Sequence, residues 1–308
     1  MRLLAPEIPV DLASTNVGES SLDEWSGSSV SYTTGDEVKM TAGQPLPHRE
    51  YRARINHTSA ADAPPKEGGN AEWIDIGATN QHRMFDGFNN SATAADAPSG
   101  DIVVEINLSK RRQVLSLLGL SSVESVTVVQ TVGGVVTSNE TIDMRTSARS
   151  PGWWNWLFGE RSYAKSLVYP LPGNHRTQTL TITLSSGIGV TQCAQCLISE
   201  VFDIGCTLDG AQPRIKKWSS FQANEFGEYT FVPRKGTRTG SYTLLMDTSN
   251  VDKIYALMED LEERLVILDA NNEDTSFDSI RAYGSIVDFA PGIEYNKTRV
   301  DIKIEGIN

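Results

Sequence analysis

Two cysteines separated by two residues, Cys193 and Cys196, have the spacing in this sequence that is best suited to chemistry. A tetrahedral zinc site needs four thiolate or imidazole ligands, but only Cys206 follows, and the nearest histidine, His175, lies 18 residues before Cys193. A thioredoxin-like redox role needs a Cys-x-x-Cys that opens a helix, whereas the flanking residues predict strands. The spacing therefore predicts buried free thiols, with a site of three cysteines and one histidine as the alternative.

Other residue types that carry catalysis show no recognisable arrangement. The four histidines (His48, His57, His82 and His175) lack metal-ligand spacing, and no Gly-x-Ser-x-Gly, His-Glu-x-x-His or phosphate-binding loop occurs. With 39 acidic residues, chance carboxylate pairs are certain, so no glycosidase pair can be singled out. We therefore expect no enzymatic activity, no cofactor and no metal ligands among the histidines.

Composition narrows the class of protein. The chain has 308 residues, 39% apolar residues and a net charge of −12. That length predicts two or three domains, and the negative charge argues against nucleic-acid or anionic-membrane partners. No apolar run approaches the ~18 residues of a membrane span, and no secretory signal is visible. Arg111 and Arg112 form a short basic cluster, which we expect to be solvated. The alternative is that the cluster binds a phosphate or an acidic partner.

Short strands and aromatic residues predict a small β module near the start of the chain. Trp25 is followed by Tyr32, by a turn at Gly35 that leads into a short strand, by a second strand with Tyr51, and by a closing Trp73 near Gly77. This order resembles the small chitin-binding type of carbohydrate-binding module over residues 25–77. In that family, exposed aromatics after the second strand stack on sugars, but residues 54–57 here read Arg-Ile-Asn-His. The resemblance implies that Trp25, Tyr32, Tyr51 and Trp73 are candidates for sugar binding. The alternative is that they are aromatic residues of the module's core.

The segment after that module carries a second resemblance. Residues 73–80 read Trp-Ile-Asp-Ile-Gly-Ala-Thr-Asn, and residues 83–86 read Arg-Met-Phe-Asp. This combination resembles a segment that recurs in tailed-phage structural proteins, where it joins a small module to a β-sandwich. Strands predicted at 101–108, 123–130, 179–184 and 197–204, with turns between them, indicate a sandwich or jelly roll here too. Their order resembles galactose-binding-like jelly rolls.

One segment of the middle region is rich in large apolar side chains. Residues 151–159 read Pro-Gly-Trp-Trp-Asn-Trp-Leu-Phe-Gly, and the sequence predicts a loop there. Exposed apolar clusters are association sites, so we expect a subunit interface formed by Trp153, Trp154, Trp156 and Phe158. The alternatives are a loop that folds back over the sandwich, or a platform for a sugar ligand.

The last hundred residues combine strands with one helix. Strands are predicted at 229–232, 242–246, 264–268, 280–289 and 299–305, the last with strict alternation. Apolar residues from Val251 to Leu265 recur at helical spacing, with Ser249 as the expected N-cap. This order resembles the tail-tube-type fold of phage distal-tail and minor tail proteins. The alternative is an α+β domain of unknown role.

These observations predict a mainly β, multi-domain protein. Its units are an N-terminal arm and small module at 1–83, a jelly-roll-like β-sandwich at 84–208, and a tail-tube-like β-barrel or sandwich with one packed helix at 209–308.

The resemblances imply a structural protein of the phage virion, made in the host cytoplasm and located at the tail tip or baseplate. Its partners would be other tail or baseplate proteins, further copies in a ring, and host surface glycans. We expect the N-terminal arm and the apolar loop to become ordered only against neighbours. The alternative function is a non-catalytic carbohydrate-binding protein, and a third is a hydrolase of envelope sugars.

Overall fold

The computed structural model of the chain describes most, but not all, of its residues. The described residues are 1–7, 10–41, 48–60, 64–89, 91–97, 100–146, 153–158, 162–173, 175–187, 189–208, 210–223, 228–234, 236–262, 264–270 and 278–307, without the side chains at 146, 155, 156 and 278. The protein is mainly β, with 56% of its residues in strands and 8% in helices, which confirms the predicted fold class. Within the described ranges, no helix is both long and apolar enough to cross a membrane.

Short strands dominate the chain from end to end. Those before residue 95 are β1 (Arg2–Pro6), β2 (Asp11–Thr15), β3 (Ser28–Tyr32), β4 (Glu37–Met40), β5 (Arg49–Ala53), β6 (His57–Ala60), β7 (Trp73–Ala78) and β8 (Thr93–Ala94). The next are β9 (Ile102–Leu108), β10 (Val114–Leu118), β11 (Val123–Val132), β12 (Val135–Asp143), β13 (Arg145–Thr146), β14 (Ser162–Tyr163), β15 (Ser166–Pro170), β16 (Gln178–Ser186), β17 (Gln192–Cys193) and β18 (Gln195–Asp203). The last are β19 (Cys206–Thr207), β20 (Gln212–Lys216), β21 (Ser220–Ala223), β22 (Tyr229–Val232), β23 (Thr237–Asp247), β24 (Val266–Asp269), β25 (Arg281–Gly292) and β26 (Lys297–Gly306). The helices are α1 (Trp153–Phe158) and α2 (Val251–Asp260), with 3₁₀ turns at Arg83–Phe85, Thr248–Asn250 and Asp278–Ile280.

Backbone contacts divide the chain into two compact units. The inner unit is Glu7–Ile198, and the terminal unit combines Met1–Pro6 with Ser199–Asn308. Strand β18 begins in the inner unit and ends in the terminal unit. The division into three units at 83/84 and 208/209 stays a prediction.

The inner unit contains an antiparallel β-sandwich. One sheet has the order β12-β11-β16-β9-β2, and β15, β10 and the first part of β18 are neighbours in another. Alternate residues of β16 are buried, as the period-2 pattern of its sequence predicts. One core cluster gathers these side chains with others from β10, β15 and β18, including Leu115, Leu117 and Ile198. The strands predicted at 101–108, 123–130, 179–184 and 197–204 are confirmed as β9, β11, β16 and β18.

The small module lies within the inner unit and has its own core. Strands β4, β5 and β7 form an antiparallel sheet, and β3 pairs with β6. Gly35 has φ +99° in the turn before β4, a conformation that the missing Cβ makes accessible, and this confirms the predicted turn. Trp73, Tyr51 and Val38 are buried together, and Trp25 and Tyr32 pack against them.

The terminal unit contains a large antiparallel sheet with a packed helix, and the separate pair β21 and β22. Its strand order is β18-β1-β24-β25-β26-β23-β19, and β20 also pairs with β23. Buried residues alternate along β26, which confirms the predicted final strand. Val251, Ile254 and Leu261 of the helical segment belong to the same core cluster as these strands.

The expectation that the N-terminal arm becomes ordered only against neighbours is wrong. Strand β1 pairs with β24 on one side and with residues 199–203 on the other. Leu3 and Leu4 are buried, and the Arg2 guanidinium bonds to the buried Asp269 carboxylate at 2.9 Å. The arm has its partners inside the terminal unit because those strand edges and apolar faces are available there.

Three local expectations also need correction. The helix predicted to reach Leu265 ends at Asp260, and its N-cap is Asn250, without a side-chain capping bond, rather than Ser249. The loop predicted at 151–159 contains α1, and residues 151, 152 and 159 lie outside the described residues. Arg112 is not solvated: it is buried and pairs with Glu7 at 2.7 Å.

Truncating β1 should destabilise the protein. Leu3→Ala removes a fully buried side chain from the terminal-unit core, so we expect the free energy of unfolding to fall by about 2–5 kcal/mol. The matched control is Leu157→Ala, because Leu157 is exposed and should change stability by less than about 0.5 kcal/mol. Urea unfolding of the two variants makes the comparison, and equal stabilities would contradict the placement of β1.

Candidate functional site

The four aromatic residues of the sugar-binding prediction lie together in the small module. Tyr51 and Trp73 are each only 1% exposed, so neither ring presents a face to a sugar in solution. Trp25 and Tyr32 are half-buried against them, and the rings of Tyr32 and Trp73 meet edge to face with centroids 5.0 Å apart. The structure thus gives Tyr51 and Trp73 the place of core aromatics. Sugar binding by the group stays a prediction.

The predicted interface residues lie on α1. Trp153, Trp154 and Phe158 are exposed, Trp153 by 71%. Trp154 and Phe158, one turn apart, have ring centroids separated by 4.4 Å. The side chain of Trp156 lies outside the described residues, although its backbone belongs to the helix. This segment therefore offers a compact aromatic surface to solvent.

A second apolar surface was not predicted from the sequence. Strands β20 and β23 pair from Gln212 with Ser241 to Lys216 with Thr237, and β21 pairs with β22 further along the same hairpin. We call the described residues 212–223, 228–234 and 236–241 the projecting hairpin, because β21 and β22 lie beyond the ladder of the large sheet. Its exposed apolar side chains are Ile215, Trp218, Phe221, Tyr229 and Phe231. Phe221 and Phe231 lie opposite each other with ring centroids 5.0 Å apart.

The cysteines are free thiols, as predicted. Cys193 and Cys196 are buried in the sandwich core, and Cys206 is exposed in the terminal unit. Burial raises the pKa of Cys193 to about 12. Its Sγ–H donates to the backbone carbonyl of Gln195 at 3.4 Å. Burial and the neighbouring thiol raise the pKa of Cys196 well above its usual value. Both groups are therefore neutral and unreactive at physiological pH.

One group of potential metal ligands converges in the part of the chain that the structure describes, and it contains none of the cysteines. It consists of Glu19, His48 and His82, with one ligand atom from each lying within 4.8 Å of the others. The spacing of the histidines along the sequence does not reveal this group, and the expectation that they ligate no metal stays a prediction. The alternative site of three cysteines and His175 is not assembled among these residues.

The folding of the small module positions the two histidines. His48 directly precedes β5, and His82 lies in the turn that follows β7. These strands pair antiparallel with Arg49 opposite Ala78, so the start of one meets the end of the other. The backbone N–H of Thr79 donates to the carbonyl of His48 at 2.9 Å, and that of His82 donates to the carbonyl of Thr79 at 2.8 Å.

The three side chains interact closely. His48 Nδ1 lies 2.5 Å from Glu19 Oε1, and His82 Nδ1 lies 3.7 Å from the same oxygen. The two imidazole rings have centroids 4.2 Å apart. Burial and the nearby His48 lower the pKa of His82 to about 4, although Glu19 opposes this. Burial alone would raise the pKa of Glu19, but the hydrogen bond with His48, the nearby Thr79 hydroxyl and the two histidines lower it. At neutral pH the group thus presents an ionised carboxylate and a neutral buried imidazole, the forms that bind metals.

Thiol labelling should separate the cysteines in the native protein. We expect Cys206 to react with a disulfide reagent at least 100-fold faster than Cys193 or Cys196, because both core thiols are buried and have raised pKa values. The measurement is the number of protein thiols that have reacted with the reagent as a function of time, before and after addition of guanidinium chloride. Cys206→Ser should abolish the fast phase, and three equally fast thiols in the native state would contradict the placement of the core pair.

No protein-family model matches the chain, and no curated protein or solved structure is significantly similar to it. The chain's own residues therefore carry the functional inference.

Proposed function

We propose that this protein is a structural subunit of a tailed-phage virion, located at the tail tip or baseplate, where it assembles with further copies of itself and with other tail proteins. The observation that carries the proposal is the projecting hairpin, in which the aromatic side chains of Phe221, Tyr229 and Phe231 are exposed. The resemblances of residues 73–86 and of the C-terminal strand-and-helix order to phage tail proteins supply the location.

The projecting hairpin has the properties of an assembly element. Within the described residues, β21 and β22 pair only with each other, and an isolated two-stranded hairpin is marginally stable in water. Phe221 is 72% exposed and Tyr229 is 76% exposed. Contiguous exposed apolar surface of this kind is typical of protein–protein contacts. A neighbouring subunit would supply both the missing backbone partners and an apolar surface.

The helix α1 supports the same interpretation. Its aromatic side chains are exposed, and aromatic residues are enriched at the centres of protein interfaces. The net charge of −12 limits unspecific association before assembly, since like-charged subunits repel one another in solution. This repulsion between negatively charged subunits opposes contact between their apolar surfaces before assembly.

The carbohydrate-binding alternative depends on Trp25 and Tyr32. Tyr51 and Trp73 are enclosed in the module core, which leaves those two half-buried rings as the candidates for stacking. Saturable binding to chitin or a cell-surface glycan, lost in Trp25→Ala with the fold intact, would favour this function over assembly.

Labelling of phage particles tests the proposed location. An antibody against the purified chain, applied to particles released by the host that carries this sequence, should mark the tail tip in electron micrographs. Finding the chain in the lysate but not in purified particles would contradict the proposal. Labelling of the capsid instead would contradict the location but not the structural role.

Substitutions in the projecting hairpin should weaken assembly without unfolding the chain. For the double variant Phe221→Ser and Phe231→Ser, we expect the concentration at which purified chains associate to rise by at least 10-fold, because both side chains are solvent-exposed in the single chain and would be buried only by a neighbour. The matched control is Tyr295→Ser, which removes an exposed aromatic residue outside the hairpin. Light scattering after size-exclusion chromatography measures the mass, and unchanged association in the double variant would exclude the hairpin as the contact.

A further inference from the structure

We propose that Glu19, His48 and His82 form a binding site for one divalent transition-metal ion, for which Zn²⁺ is the best match. The site would use Glu19 Oε1 with one ring nitrogen of each histidine. It is independent of the phage assignment, because it depends only on the geometry of the small module and the segment before it.

The distances suit a tetrahedral ion after a small adjustment. Zn²⁺ binds imidazole nitrogen at about 2.0–2.1 Å and carboxylate oxygen at about 2.0–2.2 Å, so two ligand atoms at tetrahedral angles lie roughly 3.3 Å apart. The two nitrogen-to-oxygen distances here are 2.5 Å for His48 and 3.7 Å for His82. These values bracket the ideal separation, and shifts of less than about 1 Å bring both to it.

An unpartnered buried nitrogen points into the site. The side chain of His82 is only 4% exposed, and its Nδ1 has no hydrogen-bond partner among the described residues. A buried nitrogen left without a hydrogen-bond partner is energetically costly. This nitrogen beside the Glu19 carboxylate is explained by a ligand that accepts electron pairs from nitrogen and oxygen together.

Backbone contacts hold the ligand-bearing segments in place. Next to Glu19, the Gly18 N–H donates to Asp96 Oδ2 at 2.9 Å, and Lys39 Nζ donates to the Ser20 carbonyl at 2.8 Å. The Gln81 side chain donates to the Val17 carbonyl at 3.4 Å and so joins the His82 turn to the Glu19 segment. The ligands are therefore positioned before any ion binds, which lowers the entropy lost on binding.

The residue after His48 is fixed as firmly. Arg49 Nε donates to both carboxylate oxygens of Asp75, at 3.1 and 2.9 Å, and Arg49 Nη1 lies 3.8 Å from Asp86 Oδ2. These ion pairs hold the first residue of β5 against β7 and the turn that carries His82. His48 thus starts from a rigid backbone position.

The ligand types select the class of metal. Two imidazoles and one carboxylate suit Zn²⁺ and its neighbours in the first transition row, whereas Mg²⁺ and Ca²⁺ prefer oxygen ligands throughout. Three protein ligands leave one tetrahedral position for water or for an electron-pair donor from another molecule. Glu19 and His48 are each about a quarter exposed, which gives the ion a path from solvent.

Metal content tests the proposal directly. The untagged full chain is treated with a chelator, dialysed against Zn²⁺ and analysed by elemental mass spectrometry. We expect one Zn²⁺ per chain, an increase of the thermal unfolding midpoint on adding Zn²⁺, and an X-ray absorption spectrum with nitrogen and oxygen ligands near 2.0–2.1 Å. No bound zinc, or sulfur ligands near 2.3 Å, would overturn the site.

Conservative variants identify the ligands. Glu19→Gln preserves side-chain shape, and His48→Gln changes a partly exposed residue, so both chains should fold. We expect each to bind Zn²⁺ at least 100-fold more weakly and to lose the metal-dependent increase in unfolding midpoint. His175→Gln is the matched control, since His175 lies outside the group, and it should retain one Zn²⁺. Unchanged affinity in Glu19→Gln and His48→Gln would overturn the assignment, and so would loss of zinc in His175→Gln.

Discussion

The hydrogen-bonding groups along the edges of its strands are the constraint on which this structure depends. Each exposed edge presents N–H and C=O groups that need partners. In the terminal unit, β1 meets this need on both sides by pairing with β24 and with the end of β18. The outer edges of β21 and β22 are paired with no other strand in the described ranges. The same requirement that completes the sheet at β1 thus leaves the projecting hairpin open to another chain.

Where one strand face is buried and the other solvated, the sequence pattern predicted the strand. Alternation marked β16 and β26, and the structure buries every second residue along much of each. Alternation gives no signal when both faces of a strand are exposed, and it missed β20 and β21, whose residues are nearly all exposed. Strand β22 is as exposed, but its residues Tyr-Thr-Phe-Val all favour strands, and it was predicted. The spacing of apolar residues predicted helix α2, but it did not predict the residue at which the helix ends. Leu261 remains buried just after the last helical turn, so the apolar spacing continued where the helix stopped.

The candidate site shows a different limit. Glu19, His48 and His82 come from three segments, and spacing along the chain cannot reveal that their side chains converge. A signal was nevertheless present. His48 precedes the predicted strand with Tyr51, and His82 closely follows the Trp73–Gly77 segment that closes the module. Antiparallel neighbours bring the start of one strand next to the end of the other. Pairing β5 with β7 would have placed the two histidines together, whereas the contribution of Glu19 required the contacts of a segment without regular structure.

The division of the terminal unit between the two ends of the chain has a consequence for the order of folding. Arg2 and its partner Asp269 are 267 residues apart. At about 5–20 residues per second, a ribosome needs roughly 13–53 s to add that many residues. The partner residues 199–203 are synthesised before β24, so in the last part of this time one edge of β1 can pair while its other edge waits for β24, and the inner unit is already complete as a chain. We therefore expect the inner unit to fold first during synthesis, and β1 to be paired on both edges only after β24 has emerged.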